Sequence, residues 1–304
     1  MDIGMIGLGK MGANMAERLI RHGHRVVGFD LSADAVAALV ERGGEGADSL
    51  EAIADALPAP QALWVMVPSG RPVDATIDAL LPHLGAGAVI VDGGNSFYKD
   101  SMRRAERCAE SGVEFVDVGT SGGVWGLAEG YSMMVGGSAA AVERLRPVFE
   151  SLAPTAELGW GHVGSAGSGH FVKMVHNGIE YGLMQAYAEG FAILEAKKVF
   201  DLDLHQIAEI WRYGSVIRSW LLDLTATALG QNPTMDGIAP FVPDSGEGRW
   251  TVFEAIDLDV AAPIIAGSLF RRFRSRDEEG FTDRMLSAMR NAFGGHAIKP
   301  EDPS

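Results

Sequence analysis

Cysteine is almost absent. Cys108 is the single one in 304 residues, so no intrachain disulfide and no cysteine-built metal site can form, which points to a reducing compartment, the cytoplasm. No uninterrupted apolar run reaches about 18 residues, so no membrane-spanning helix is expected. Met1 leads straight into a strand-like run, so no signal peptide is expected. Positive charge is scarce: 25 Lys and Arg stand against 40 Asp and Glu, a net charge of −15. The deficit is spread over the chain, with 12 basic against 21 acidic residues in 1–164 and 13 against 19 in 165–304. A sequence-independent grip on nucleic acid or on an anionic membrane is therefore not expected. HExxH, EF-hand spacing and His/Asp/Glu clusters at ligand spacing are missing, so no metal is expected, and GxSxG is missing too. Glycine, by contrast, is abundant at 39 residues.

The length suits two domains. Up to about residue 160, short β-rich runs alternate with amphipathic stretches. Strands are expected at Asp2–Ile6, Arg25–Asp30, Leu63–Val67, Ala88–Asp92, Glu114–Val118, Tyr131–Val135 and Ala156–Leu158. Helices are expected at Met11–Arg21, Ala33–Glu41, Val73–Leu81, Met102–Ser111 and Ala139–Leu152. Continuous apolar strands such as Ala88-Val-Ile-Val91 suit a parallel sheet covered on both faces, and the alternation predicts a doubly wound Rossmann-type α/β domain. The glycine-rich run from Gly159 to Gly169 reads as a joint. Beyond it the chain has almost no strand pattern: a helix is expected over about His170–Lys198, then others at Leu204–Gly214, Arg218–Leu229, Val252–Asp259, Ala262–Arg274 and Thr282–Asn291. The expected division is 1–165 for the Rossmann domain and 166–304 for an all-α domain. The polar tail after Gly294, ending Pro-Glu-Asp-Pro-Ser, is expected to be mobile.

Gly7-Leu8-Gly9-Lys10-Met11-Gly12 comes directly after the first strand and opens the first helix. Gly7 suits the tight turn, Gly9 the approach of a pyrophosphate to backbone, and Gly12 close packing of helix on strand. The second strand ends at Asp30, which can accept hydrogen bonds from ribose hydroxyls and would repel a 2′-phosphate. Residues 31–41 hold no Arg or Lys to pair with that phosphate. The cofactor expected is NAD rather than NADP.

On the long helix, Lys173, His176, Asn177, Glu180 and Tyr181 fall within about 140° of one another at helical pitch. Gly178 and Gly182 permit close packing behind them. The bland alternative is a solvated face with i,i+4 pairs, but five different hydrogen-bonding side chains suit such a face poorly. Lys173 and Glu180 are two separate proton-transfer groups on one face, fit for a reaction that needs a base at one step and an acid at another.

The run Lys173-Met-Val-His-Asn-Gly-Ile-Glu-Tyr181, with Asp92-Gly-Gly-Asn95-Ser and Gly119-Thr-Ser121-Gly122-Gly123, closely resembles the 6-phosphogluconate dehydrogenase family. The resemblance spans nearly the whole chain and is to the short, NAD-preferring form. It implies the decarboxylating oxidoreductase of the pentose phosphate pathway. Lys173 would take the proton of the substrate 3-hydroxyl, and Glu180 would protonate C1 of the enediol. Asn95, His176 and Asn177 would hold substrate hydroxyls, and Ser121, Gly122 and Gly123 the carboxylate end. Val67-Pro68-Ser69 and Asn95 would line the cofactor. Arg218 and Tyr181 would bind the phosphate. Arg290 and His296 would reach a neighbouring subunit's site in a homo-oligomer.

One loop departs from the family pattern. Lys-Gly-Thr-Gly-Lys-Trp-Thr reads Ser245-Gly-Glu247-Gly-Arg249-Trp250-Thr251 here, which places a carboxylate where phosphate is expected. Either Glu247 points away, or Arg249 compensates, or the substrate's far end differs. Arg271, Arg272, Arg274 and Arg276, with Asp277-Glu-Glu279 next in the chain, read as self-paired surface. Two rival functions remain: a dehydrogenase of another β-hydroxyacid such as 3-hydroxyisobutyrate, and a non-catalytic NAD sensor, against which the Lys173/Glu180 pair argues.

Overall fold

The fold comes from a computed structural model that describes residues 1–300; the last four residues of the polar tail lie outside the described residues. The chain divides into two compact units, Met1–Asn177 and Gly178–Ser304.

The first unit is built on eight strands: β1 (Asp2–Ile6), β2 (Arg25–Phe29), β3 (Glu45–Gly46), β4 (Ala62–Val65), β5 (Val89–Asp92), β6 (Glu114–Ser121), β7 (Ser132–Gly137) and β8 (Trp160–Gly164). They form one sheet in the order β3-β2-β1-β4-β5-β6-β7-β8. All neighbours are parallel except β6 and β7. Helices α1 (Lys10–Arg21), α2 (Ala33–Glu41), α3 (Leu50–Asp55), α4 (Arg71–Leu80), α5 (Tyr98–Glu110), α6 (Gly126–Glu129) and α7 (Ala139–Leu152) connect them. The strands read as unbroken apolar runs because both faces are covered. Ile3, Met5, Trp64, Val89 and Val91 belong to one buried cluster with Met15 and Leu19 of α1 and Leu145 and Phe149 of α7. Their alternates Ile6, Leu63, Val65 and Ile90 belong to a second, with Ile53, Ile77 and Cys108 of α3, α4 and α5. Period-2 alternation thus supplies two cores from one sheet.

The sequence reading missed β3 and α3, a two-residue strand and a six-residue helix too short for a periodic signal. The strand expected at Ala156–Leu158 does not form; that segment holds a single bridge between Thr155 and Leu158. The strand lies at Trp160–Gly164 instead, inside the glycine-rich run, after Gly159 turns the chain at φ +91°. That run therefore carries an edge strand as well as a joint.

Helix α8 (Ser168–Ala196) is continuous for 29 residues and passes from the first unit into the second. Among the described residues, the further α-helices of the second unit are α9 (Leu204–Arg212), α10 (Trp220–Gln231), α11 (Glu247–Asp257), α12 (Pro263–Arg274) and α13 (Phe281–Gly294). Its buried cluster is small: Phe191 of α8, Ala208 of α9, and Leu222, Ala226 and Leu229 of α10. Large apolar side chains remain on its surface, among them Phe253, Ile256, Ile264 and Phe281, each at least 60% exposed. Among the described residues, no helix is long and apolar enough to cross a membrane.

Candidate active site

The strand order reverses between β1 and β4. In open parallel sheets, ligands bind at such a reversal, beyond the carboxyl ends of the strands. Four expected segments sit at carboxyl ends of the parallel neighbours β1, β4, β5 and β6: Gly7–Gly12, Val67–Ser69, Asn95 and Ser121–Gly123. Asn95, Pro68 and Ser69 are exposed there, and Val67, Ser121 and Gly122 are half-buried.

The glycine turn has the form a dinucleotide needs. Gly7 stands at φ +92°, where a Cβ would lie 2.6 Å from the Met66 carbonyl oxygen. A Cβ on Gly12 would lie 2.0 Å from the Gly7 carbonyl oxygen, so α1 can pack this closely only with glycine there. At Gly9 a Cβ would meet nothing within 4 Å, which leaves the backbone open to a ligand. The N-terminus of α1, at Lys10 and Met11, has no side-chain cap and no acidic residue in its first turn. Its N–H groups can therefore face an anion. Asp30 is fixed beside this turn. Its carboxylate accepts from the Leu8 N–H at 2.6 Å and from the Ser32 N–H at 2.8 Å, and each oxygen keeps a lone pair for a ribose hydroxyl. These residues fit NAD. Next to Asp30 lies a pocket of about 410 Å³ lined mainly by Ala33, Val36, Ala37 and Val40.

Lys173 is brought to the carboxyl end of β6 by a contact between glycines. A Cβ on Gly119 would lie 2.3 Å from the Lys173 Cβ and 2.6 Å from the Gly169 carbonyl oxygen. A Cβ on Gly169 would lie 2.5 Å from the carbonyl oxygens of Asp117 and Met134. The fully buried Asp117 accepts from the Gly167 N–H at 2.6 Å and the His170 N–H at 2.8 Å, which satisfies donors at the start of α8. His170, also buried, pairs its Nδ1 with Ser101 Oγ at 2.7 Å.

Lys173 is 6% exposed, and its Nζ donates to Asn177 Oδ1 at 2.7 Å. His176 Nδ1 lies 2.9 Å from the same oxygen, which fits a proton on Nδ1, and 3.4 Å from Lys173 Nζ. Seven residues further along the helix, Glu180 shares the face of Lys173. The helix buries Lys173 and Tyr181 while Val172, Ile179 and Leu183 are exposed. Its polar stripe is thus not a solvated face.

In the second unit, Tyr181 is held from several sides. Its hydroxyl accepts from the Ser245 N–H at 2.9 Å and lies 3.1 Å from Ser245 Oγ. A Cβ on Gly248 would come within 2.5 Å of its ring, and one on Gly178 within 2.6 Å of Thr251 Cγ2, so α11 packs tightly on α8. Glu247, the first residue of α11, is buried at 3% exposure. Arg249 does not compensate for it: its guanidinium donates to Asp244 at 2.5 Å and lies 4.3 Å from the centre of the Phe273 ring.

The arginine cluster is only partly self-paired. Arg274 pairs with Asp277 and Asp283, and Arg276 with Asp244. Arg272 forms no ion pair among the described residues. Its guanidinium stacks on Tyr181, 3.5 Å from the ring centre, and donates to the Pro243 carbonyl at 2.9 Å. The sequence reading missed it, although α12 periodicity puts Arg272 one turn beyond the buried Ser268 and Leu269 and off the face of Arg271. Arg218 and Arg290 are exposed, and no side-chain hydrogen bond joins either to Tyr181 among the described residues; the Arg218 loop is held instead by Tyr187, whose hydroxyl donates to the Ile217 carbonyl at 2.5 Å. His296 is exposed after α13, and its carbonyl accepts from Asn291 at 2.9 Å.

A glycine turn, an acidic residue directly after the second strand and a lysine-bearing helix seated beside the sheet's carboxyl edge define a Rossmann-type dehydrogenase. The profile of the NAD binding domain of 6-phosphogluconate dehydrogenase matches residues 2–161, and that of the 6-phosphogluconate dehydrogenase C-terminal domain matches 169–282. The chain belongs to the 6-phosphogluconate dehydrogenase family. It is 47% identical over 303 residues to the NAD(+)-dependent, decarboxylating 6-phosphogluconate dehydrogenase of Haloferax volcanii, covering 99% of this chain and 100% of that one. The 6-phosphogluconate dehydrogenase of Plasmodium falciparum superposes with a TM-score of 0.85 at 28% identity, over 100% of this chain and 67% of that one. The 3-hydroxyisobutyrate dehydrogenase of Mycobacterium tuberculosis shares the fold, with a TM-score of 0.71 at 23% identity over 88% and 90% of the two chains.

Asp244 gives the second unit a pH signature. Hydrogen bonding from Arg249 holds its carboxyl below the usual 3.8; burial opposes this, and Arg276 adds to it. Because the folded value is depressed, the stabilisation is complete above pH 3.8 and is lost as pH falls through the folded value. Asp244→Asn is expected to cost about 1–3 kcal/mol at neutral pH. In melting curves its difference from wild type should shrink steadily below pH 3.8.

Proposed function

We propose that this chain oxidises and decarboxylates 6-phosphogluconate to ribulose 5-phosphate and CO2, with NAD as hydride acceptor. The observation that carries the reading is the buried Lys173, bonded to Asn177 at the end of β6 and sharing a helix face with Glu180. NAD supplies the acceptor for the hydride that leaves substrate C3. Gly7, Leu8, Gly9, Lys10, Met11 and Gly12 would hold its pyrophosphate, Asp30 its ribose, and Val67, Pro68, Ser69 and Asn95 its remaining length.

Lys173 takes the proton of the 3-hydroxyl as C3 is oxidised to a ketone. Asn177 fixes the Nζ of that lysine by accepting one of its hydrogens, and with His176 and Asn95 holds substrate hydroxyls. The 3-keto acid then loses its carboxylate as CO2, and the bonding electrons remain in an enediol. The Lys173 ammonium donates to the C3 oxygen, and Glu180 delivers a proton to C1. Ser121, Gly122 and Gly123 bind the carboxylate before it departs.

The phosphate falls to cations near Tyr181. Arg272 supports this reading best, because it stacks on the tyrosine and has no carboxylate partner among the described residues; Arg218 is a second candidate. The burial of Glu247 favours the first of the three loop readings, in which that carboxylate is kept from the phosphate. The exposed apolar side chains of the second unit and the exposed Arg290 and His296 suit a homo-oligomer, with that tail completing a neighbour's site. With its one thiol buried, the protein suits the cytoplasm.

The test measures NADH appearance and CO2 release with 6-phosphogluconate, gluconate and 3-hydroxyisobutyrate. Turnover with release of CO2 is expected for the phosphorylated acid, with kcat/KM favouring NAD over NADP; no turnover of that acid would sink the reading. Lys173→Met and Glu180→Gln should each lower kcat by roughly 10²–10⁴-fold and leave NAD affinity intact in a binding titration. Arg272→Ala should raise KM for 6-phosphogluconate roughly ten- to a hundredfold, the scale of a lost charge-assisted hydrogen bond. A larger KM effect from Arg218→Ala would transfer the phosphate to that loop.

A further inference from the structure

Arg104 lies outside every motif above. It shares a helical face of α5 with Ser101 and Cys108 and is 1% exposed. Its three guanidinium nitrogens reach four acceptors. Nε donates to Asp74 Oδ1 on α4 at 2.8 Å, and Nη2 to the Gly70 carbonyl at 3.1 Å. Nη1 donates to Asp92 Oδ2 at 3.1 Å and to Ser96 Oγ at 3.0 Å. Asp92 is wholly buried; it also accepts from the Gly94 N–H at 3.2 Å and from the Ser96 hydroxyl at 2.7 Å. Burial disfavours the Asp74 charge, yet Arg104 and Arg103 together hold its carboxyl below the usual range.

The acceptors belong to two loops. Gly70 ends the Val67–Gly70 loop after β4, and Asp92 and Ser96 bracket the loop that carries Asn95 after β5. The loops also meet directly, since a Cβ on Gly94 would lie 3.2 Å from the Val67 carbonyl oxygen. A planar fork of five donors can hold both loops and α4 at once, whereas an ammonium on a flexible stem cannot.

We propose that Arg104 is a positioning residue: it fixes the spacing of these two loops, and through them the affinity for NAD, while touching neither cofactor nor substrate. This rests on the reading that the loops line the cofactor. Two variants test it. Arg104→Lys keeps a cation beside Asp92 but cannot also reach Gly70 and Asp74. Arg104→Met combined with Asp92→Asn removes the fork without stranding a buried charge. Arg103→Ala, which removes an exposed guanidinium that also pairs with Asp74, is the control. The readouts are NAD affinity by titration calorimetry, the melting temperature, and the split between KM and kcat.

The dissociation constant for NAD is expected to rise roughly ten- to a hundredfold in both Arg104 variants, the scale of a misplaced binding group. KM for NAD should rise in step, kcat should fall less, and Arg103→Ala should match wild type. A lowered melting temperature with unchanged NAD affinity in Arg104→Lys would make the arginine merely structural and overturn the proposal. The titration needs no turnover, so a wild-type protein that binds NAD but leaves 6-phosphogluconate untouched refutes the functional reading alone. A wild-type protein that binds no NAD refutes both.

Discussion

The site depends on how the first turn of α8 is seated on the sheet. Asp117 is a carboxylate with no access to water, and two backbone N–H groups at the start of the helix donate to it. Hydrogen bonds to a charged acceptor contribute about 1.5–3 kcal/mol each, so this one side chain both caps the helix and sets its axis against β6. The missing Cβ atoms at Gly119 and Gly169 let the backbones approach until Lys173 stands at the strand's end. A helix seated by loose side-chain packing would leave the lysine free to swing. Here the position of its Cα is set by backbone contacts, and the Asn177 amide holds the far end of its side chain.

Much of this was legible in the sequence because it has a period or a forced conformation. Helices α2 and α7 lie over the residues their patterns predicted, as does β1. Gly7 and Gly12 do what a Gly-x-Gly-x-x-Gly turn implies, since contacts of 2.0 Å and 2.6 Å with carbonyl oxygens leave no room for any other residue. The stripe on α8 stood out in the sequence because its five polar types did not look like a solvated face. Other features left no local mark. β3 has two residues, and β8 lies in a run whose glycines suggested a hinge. Arg104 and Arg272 were hidden for a common reason: arginine is ordinarily a surface residue. Each sits in a run of other arginines, and only the helical phase relative to Ser101 and Cys108, or to Ser268 and Leu269, separates the inward one from its neighbours.

The same phase argument reconciles a chain of net charge −15 with an anionic substrate and cofactor. Net charge governs the long-range field, which is screened within about 10 Å in ordinary salt. A bound phosphate responds to the few groups within hydrogen-bond reach. In the second unit nearby cations are already committed, Arg249 and Arg276 to Asp244 and Arg274 to Asp277 and Asp283. Among the described residues Arg272 is committed to no carboxylate; it stacks on an aromatic face and donates to the Pro243 carbonyl. A guanidinium without a carboxylate partner keeps more of its charge for a bound anion than one already compensated by a neighbouring carboxylate.

The Ser245–Thr251 segment fits this division of labour. With a serine at 245 it has no cation to offer at that position, and its carboxylate at 247 is buried. What it contributes is constraint. The Ser245 N–H donates to the Tyr181 hydroxyl, Gly248 admits the Tyr181 ring, and Thr251 fills the space that Gly178 leaves. Tyr181 is thereby fixed in the place where Arg272 can stack on it. A hydroxyl that already accepts a backbone N–H keeps its own proton to donate, to Ser245 Oγ at 3.1 Å or to an acceptor such as a phosphate oxygen. The guanidinium of α12 and the hydroxyl of α8 are thus brought side by side, and the loop between holds the two in register.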